Sequence, residues 1–156
     1  MGSCASHVCQ YFTTVFSDRI AFTDNGWKSL KECRTSNDVL WSALFSMATA
    51  LYDSLETYNS FSEALKHYNE QSIYECVAGN TSTTKKDKSI QKEYEDIFNG
   101  EKINIDPHLK SNTGKESDPR FFRIYFCNYM NKKTGKRLIV IGSCDGHLTT
   151  AGTARR

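Results

Sequence analysis

The sequence predicts an α+β fold in which N-terminal helices pack on a small antiparallel β-sheet, and three observations predict it. Across residues 38–58, Leu40, Leu44, Met47, Leu51, Leu55 and Tyr58 recur at steps of three and four, the spacing of one helical face. Residues 121–126 and 137–141 are short runs rich in aromatic and β-branched side chains. They are joined by the turn-forming Asn131-Lys132-Lys133-Thr134-Gly135, which marks a β-hairpin. At 156 residues, with 38% hydrophobic and 24% charged side chains, the chain also has the size and composition of one globular domain with its own core. We therefore expect a single domain over 1–156, with a helix-rich scaffold over 1–100 and a β-rich, site-bearing part over 101–150.

Taken in order, Met1-Gly2-Ser3-Cys4-Ala5-Ser6 fits the short pattern for N-myristoylation, although a Met-Gly-Ser start is also a common expression leader. Residues 10–16 carry enough β-branched and aromatic side chains to suggest a first strand, and 19–23 a second extended piece. Asp24-Asn25-Gly26 reads as a turn, and 27–33 as a short helix. The long helix of 38–58 follows, capped by Ser36 or Asn37, with Trp41, Phe45 and Tyr52 widening its apolar stripe. Ser60-Phe61-Ser62-Glu63 is a capping box that opens another helix to about residue 70. Residues 73–78 fit a strand or a helix, and 79–88 read as a surface loop. Ile90, Tyr94, Ile97 and Phe98 then suggest a third helix, with Asn99-Gly100 as its C-cap. Residues 102–105 alternate polar and apolar, as a strand does.

No apolar run approaches the roughly 18–20 residues of a membrane span, and no secretory signal opens the chain. A cytoplasmic protein is the expectation, without membrane partners. The six cysteines show neither CxxC pairs nor the His spacing of a zinc site, so reduced thiols are expected and no cofactor or metal is required. No Walker or Rossmann glycine loop occurs.

The net charge of +2 conceals a division. Residues 1–106 hold ten Lys and Arg against fifteen Asp and Glu. Residues 107–156 hold ten Lys and Arg against Glu116, Asp118 and Asp145. A basic final third favours a polyanion or phosphate ligand, although Arg155 and Arg156 also fit a solvated tail. Within it, Lys110 precedes the hairpin, Arg123 and Tyr125 lie on its first strand, and His147 follows its second. Strand alternation sends Arg123 and Tyr125 to one face, and Phe122, Ile124 and Phe126 to the other.

The order Pro107-His108-Leu109-Lys110, glycine-containing loop, Arg123-Ile124-Tyr125, hairpin and His147 resembles the RelE/YoeB/ParE-type bacterial toxins over roughly residues 90–150. The helices of 38–70 are longer than that superfamily usually has. The resemblance implies a metal-independent endoribonuclease of RNA, free or on the ribosome, held in check by an antitoxin protein. It implies a lysine, a strand arginine and a C-terminal histidine at Lys110, Arg123 and His147.

Chemistry fits that implication. RNA cleavage without metal needs a base for the 2′-hydroxyl, an acid for the 5′-oxygen and cations for the charge on phosphorus. His147 has a suitable ordinary pKa, and His108 is a second candidate. Arg123 suits a bidentate phosphate clamp and Lys110 a point cation. Tyr125, Arg120 and Thr149 complete the set as substrate-binding groups. Each has a plainer reading: Arg123 paired across the sheet, Tyr125 packed, His147 satisfying a turn, Lys110 solvated. A non-catalytic phosphate- or nucleic-acid-binding module and a partner-binding inhibitor are the alternative functions. Asp106 and Asp145 leave metal-assisted hydrolysis as a weaker one.

Overall fold

The computed structural model describes residues 4–79, 94–113, 115 and 117–144, with side chains from residue 7 onward. The fold is mixed α+β with a mostly antiparallel sheet. Helices α1 (Cys4–Val15), α2 (Asp24–Ser29), α3 (Asn37–Ser46), α4 (Tyr52–Thr57) and α5 (Phe61–Gln71) occupy the first half. Strands β1 (Ile20–Phe22), β2 (Glu75–Val77), β5 (His108–Lys110), β6 (Arg123–Met130) and β7 (Arg137–Ser143) form one five-stranded sheet. Its order is β1-β7-β6-β5-β2, with only the β1–β7 pair parallel. Strands β3 (Glu95–Phe98) and β4 (Glu101–Asn104) make a separate hairpin. No described helix is long and apolar enough to cross a membrane.

The long predicted helix is present as a continuous run: α3 passes through a π-helical turn, Met47–Leu51, into α4. Leu40, Leu44, Met47, Leu51 and Leu55 are all buried, as the spacing requires. The Ser60 cap also forms, its hydroxyl accepting from the Glu63 N–H at 3.1 Å. The predicted hairpin is β6–β7.

Three local expectations are corrected. Residues 10–16 are not a strand, because Cys9, Phe12 and Phe16 fall three and four apart and face the core from α1 and the turn that follows it. The Thr13 and Thr14 hydroxyls bond back to the Gln10 carbonyl within the helix. Asp24-Asn25-Gly26 is the first turn of α2, not a loop, since the Thr23 hydroxyl caps the Gly26 N–H at 2.9 Å. The expected third helix and its C-cap are instead the β3–β4 hairpin. Asn99 and Gly100 have φ of 51° and 78°, the left-handed pair that a tight hairpin turn requires. Residues 90–93 lie outside the described set.

Helical and sheet side chains share the main core, which joins Phe12, Leu44 and Leu51 to Phe122, Ile124, Phe126, Ile139 and Ile141. Burying each such side chain contributes about 1.5–3 kcal/mol. The other face of β6–β7 is also covered. Tyr94, Ile103 and Ile105 from the β3–β4 region pack with Tyr125, Tyr129 and Val140 in a second cluster. One buried carboxylate ties that hairpin down. Asp96 accepts the Thr23 hydroxyl at 2.6 Å, the Asn25 amide at 3.1 Å and the Ile97 N–H at 2.8 Å, so its charge is hydrogen-bonded as burial demands.

Two glycines make this packing possible. A β-carbon at Gly26 would strike the backbone carbonyl of Ile141, and one at Gly142 would meet the side chains of Ile105 and Asp96. Gly26→Ala is therefore expected to destabilise by about 1–3 kcal/mol, despite alanine's better helix propensity. Gly142→Ala should cost less, because side chains yield where a strand backbone cannot. Urea midpoints of the two variants check the order, and a Gly26→Ala protein as stable as the parent contradicts it.

Candidate functional site

The candidate site is built by strand register. In an antiparallel pair, residues directly opposite share a face. Lys110 on β5 lies opposite Arg123 on β6 and opposite Glu75 on β2. In the next row His108 lies opposite Tyr125 and Val77, and Tyr125 opposite Ser143 on β7. Three of the four predicted catalytic residues thus come together: His108, Lys110 and Arg123. His147 and Thr149 fall outside the described residues. Among those described, no group of three or more His, Cys, Asp or Glu is placed to hold a metal.

Side chains on the opposite face explain why the site faces as it does. Cys76, Leu109 and Ile124 alternate with these residues on β2, β5 and β6, and all three are buried in the main core. That leaves Glu75, Lys110 and Arg123 as a charged row away from it. Lys110 Nζ lies 3.6 Å from a Glu75 carboxylate oxygen, a partly exposed pair of modest strength. The Arg123 guanidinium lies over the Phe121 ring at 4.8 Å and donates to the Phe122 carbonyl at 3.2 Å. Two cations directly across a strand pair repel one another, and Glu75 offsets this from one side.

His108 lies in the next row, opposite Tyr125, in a half-buried setting. Its Nδ1 is 3.2 Å from the Asp106 carbonyl oxygen, which can only accept, so Nδ1 carries the proton and Nε2 keeps its lone pair. Burial, and then the nearby Arg123 and Lys110 charges, hold the imidazole below its ordinary pKa, against the Asp106 carbonyl bond that favours the cation. The ring is therefore neutral near pH 7 and available as a base. It rests against Tyr125, with ring centroids 4.7 Å apart.

Two sequence expectations change here. Tyr125 does share a face with Arg123, but that face is not open around it. Tyr125 is only 2% exposed, packed by Tyr94 and His108 as part of the second core. Tyr125 therefore takes its plainer, packed reading and backs His108 instead of facing a substrate. Arg120 stands apart from the row. It is clamped by Asp118 through two bonds, Nε to Oδ1 at 3.1 Å and Nη2 to Oδ2 at 2.8 Å. Those bonds lower the Asp118 carboxyl to about 2. Sequence reasoning missed Glu75, whose signal lay in the ambiguous run of 73–78.

No protein-family model, curated protein or solved structure matches this chain.

The His108 environment gives a pH signature. Its folded pKa lies below the unfolded value near 6.5, so between the two the unfolded chain binds more protons. His108 therefore costs nothing above about pH 6.5, and stability is lost as pH falls from there toward the folded value. Urea unfolding between about pH 7 and about pH 5 should show a steeper loss for the parent than for His108→Gln. Parallel profiles would place His108 in an unperturbed setting.

Proposed function

We propose that this protein is a RelE-like toxin, a metal-independent endoribonuclease whose site is the His108, Lys110 and Arg123 face. The observation that carries the proposal is a neutral imidazole held beside two cations on one sheet face. Such a set suits a phosphodiester: Arg123 clamps the phosphate, Lys110 turns from Glu75 toward it, and His108 Nε2 takes the proton of the 2′-hydroxyl. The 2′-oxygen then attacks phosphorus as the bond to the 5′-oxygen breaks. A second proton donor, assigned to His147 from the sequence alone, protonates that oxygen. The products are a 2′,3′-cyclic phosphate and a free 5′-hydroxyl. The shared core of helices and sheet supports a RelE-like arrangement, with helices on one sheet face and the site on the other. In this reading the protein acts in the cytoplasm on RNA, free or on the ribosome, and an antitoxin protein restrains it.

One observation favours a second reading, a non-catalytic phosphate- or nucleic-acid-binding module. Much of the His108 ring is buried against Tyr125. A base so enclosed can orient a bound phosphate without exchanging protons with it.

Total RNA incubated with the protein, either free in EDTA or on intact ribosomes in magnesium, separates the two. The nuclease reading expects cleavage to cyclic-phosphate ends, slowed roughly 10²–10⁴-fold in His108→Gln. Arg123→Ala should weaken both cleavage and RNA affinity. Uncut RNA that binds with an Arg123-dependent, salt-sensitive affinity selects the binding module. Absence of both cleavage and binding overturns the site assignment.

A further inference from the structure

The tip of the β6–β7 hairpin carries a second cationic cluster, away from the Lys110–Arg123 row. Its sequence is Asn131-Lys132-Lys133-Thr134-Gly135-Lys136. Lys132, Lys133 and Lys136 are exposed, and among the described residues no ion pair or side-chain hydrogen bond engages their ammonium groups. Arg137, the next residue, differs: its guanidinium bonds to Glu56 at 3.0 Å and to the Asn128 side chain. Lys110 and Arg120 are likewise paired, with Glu75 and Asp118.

Hydrogen bonds fix the turn that presents the three lysines. The Asn131 N–H donates to the Lys136 carbonyl at 2.9 Å, and the Gly135 N–H to the Asn131 carbonyl at 2.8 Å. Gly135 takes a left-handed φ of 70°. The Asn131 side-chain oxygen accepts the N–H of Lys133 at 2.9 Å and of Thr134 at 3.2 Å. At the base, the Tyr52 hydroxyl donates to the Arg137 carbonyl at 3.1 Å and ties the hairpin to α4. The lysine stems therefore leave one anchored turn, and their fields add over a Debye length of ~8–10 Å. Like charges held this way repel, and a polyanion relieves that repulsion.

Two features select a long polyanion. Lysine is a point cation without arginine's planar fork, which suits successive phosphates along a backbone better than one clamped anion. The tip and the Lys110–Arg123 row also lie at opposite ends of β6. That strand runs eight residues from Arg123 to Met130, so the two clusters stand about 24 Å apart at ~3.4 Å per step. No single phosphate reaches both. A stacked nucleic-acid strand, with one phosphate per ~3.4 Å, spans the distance in about seven nucleotides. Between the clusters the β3–β4 hairpin covers Tyr125 and Tyr129, and its exposed Lys102 is paired with Glu95 at 3.2 Å. A flexible single strand can follow the surface over it.

We propose that the Lys132, Lys133 and Lys136 tip is a second contact for the backbone of single-stranded RNA, engaged together with the Lys110–Arg123 row. This rests on the reading of that row as an RNA site. Short RNA then touches the row alone, and RNA longer than about seven nucleotides touches both.

The test follows fluorescence anisotropy of labelled, uncleavable 2′-O-methyl oligouridylates titrated with the intact 156-residue chain over a salt series. One probe is a trinucleotide, and the other has about 12 nucleotides. Lys132→Gln with Lys133→Gln should weaken the longer probe at least about fivefold and lower its log–log salt slope by roughly 1.4, at ~0.7 per phosphate contact. Lys136→Gln should add a further loss. The trinucleotide should be indifferent to the tip and weakened by Arg123→Ala. Lys66→Glu makes the same change in net charge on α5 and should leave both probes unchanged. An equal loss with Lys66→Glu, or an equal loss for the trinucleotide, overturns the proposal by making the effect one of overall charge. Long-probe affinity that depends on Arg123 but not on the tip overturns it and leaves the row reading standing. Dependence on the tip without Arg123, or no binding of either probe, overturns both. Phosphatidylserine vesicles bound through the tip while RNA affinity ignores it make a lipid surface the occupant instead.

Discussion

Everything in this fold depends on covering the β6–β7 pair from both sides. These two strands are apolar on each face, with Ile139 and Ile141 toward one core and Val140 toward the other. Helices supply side chains to the first core, and the β3–β4 region supplies Tyr94, Ile103 and Ile105 to the second. A hairpin of four-residue strands is marginal by itself, so its attachment must come from contacts outside it. Asp96 provides one, bonded to the same Thr23 hydroxyl that caps α2. Since Thr23 N–H also donates to the Ile141 carbonyl at 2.9 Å, cap, central strand and covering hairpin meet at one residue. Gly26 and Gly142 keep that junction narrow enough to close.

This junction governs the candidate site as well. Tyr125 is held by the second core, and it in turn backs the His108 ring. The register irregularity between Tyr125 and Phe126 falls just where β6 passes from the site to the hairpin-covered stretch. Such irregularities commonly re-aim side chains beside functional positions. The contact that backs the imidazole is thus tied to how the second face is covered, and the Asp106 carbonyl that sets its tautomer comes from the link between β4 and β5.

Much of this was legible in the sequence, and the exceptions have physical reasons. Residues 38–58 announced themselves because a long helix repeats its apolar spacing many times. Residues 10–16 did not, since propensity pointed one way and the Cys9, Phe12 and Phe16 spacing the other, and packing decided. Residues 94–98 misled for a different reason: Tyr94 and Phe98 pack in the second core, but the residue between them on that face is Asp96, a carboxylate, while Ile97 is 64% exposed. Counting Ile97 with Tyr94 and Phe98 as inward produces a helical spacing. The Asn99-Gly100 dipeptide, read as a helix C-cap, is equally the signal of a tight hairpin turn, and here it makes one. At the site, period-two alternation correctly grouped Arg123 with Tyr125, but alternation reports a shared face and not whether something covers it. The partner of Lys110 and the depression of the His108 pKa required the strand order, which no local pattern contains.

The division of charge along the chain acquires a spatial meaning from the fold. The acidic first part supplies helices α3–α5, and the basic final third supplies Lys110 and Arg123 on β5 and β6. Leu109 and Ile124 send their side chains into the core between these cations, which face the other way. The edge strand β2 adds Glu75, paired with Lys110, so a carboxylate from the acidic part of the chain offsets the row's two cations from one side.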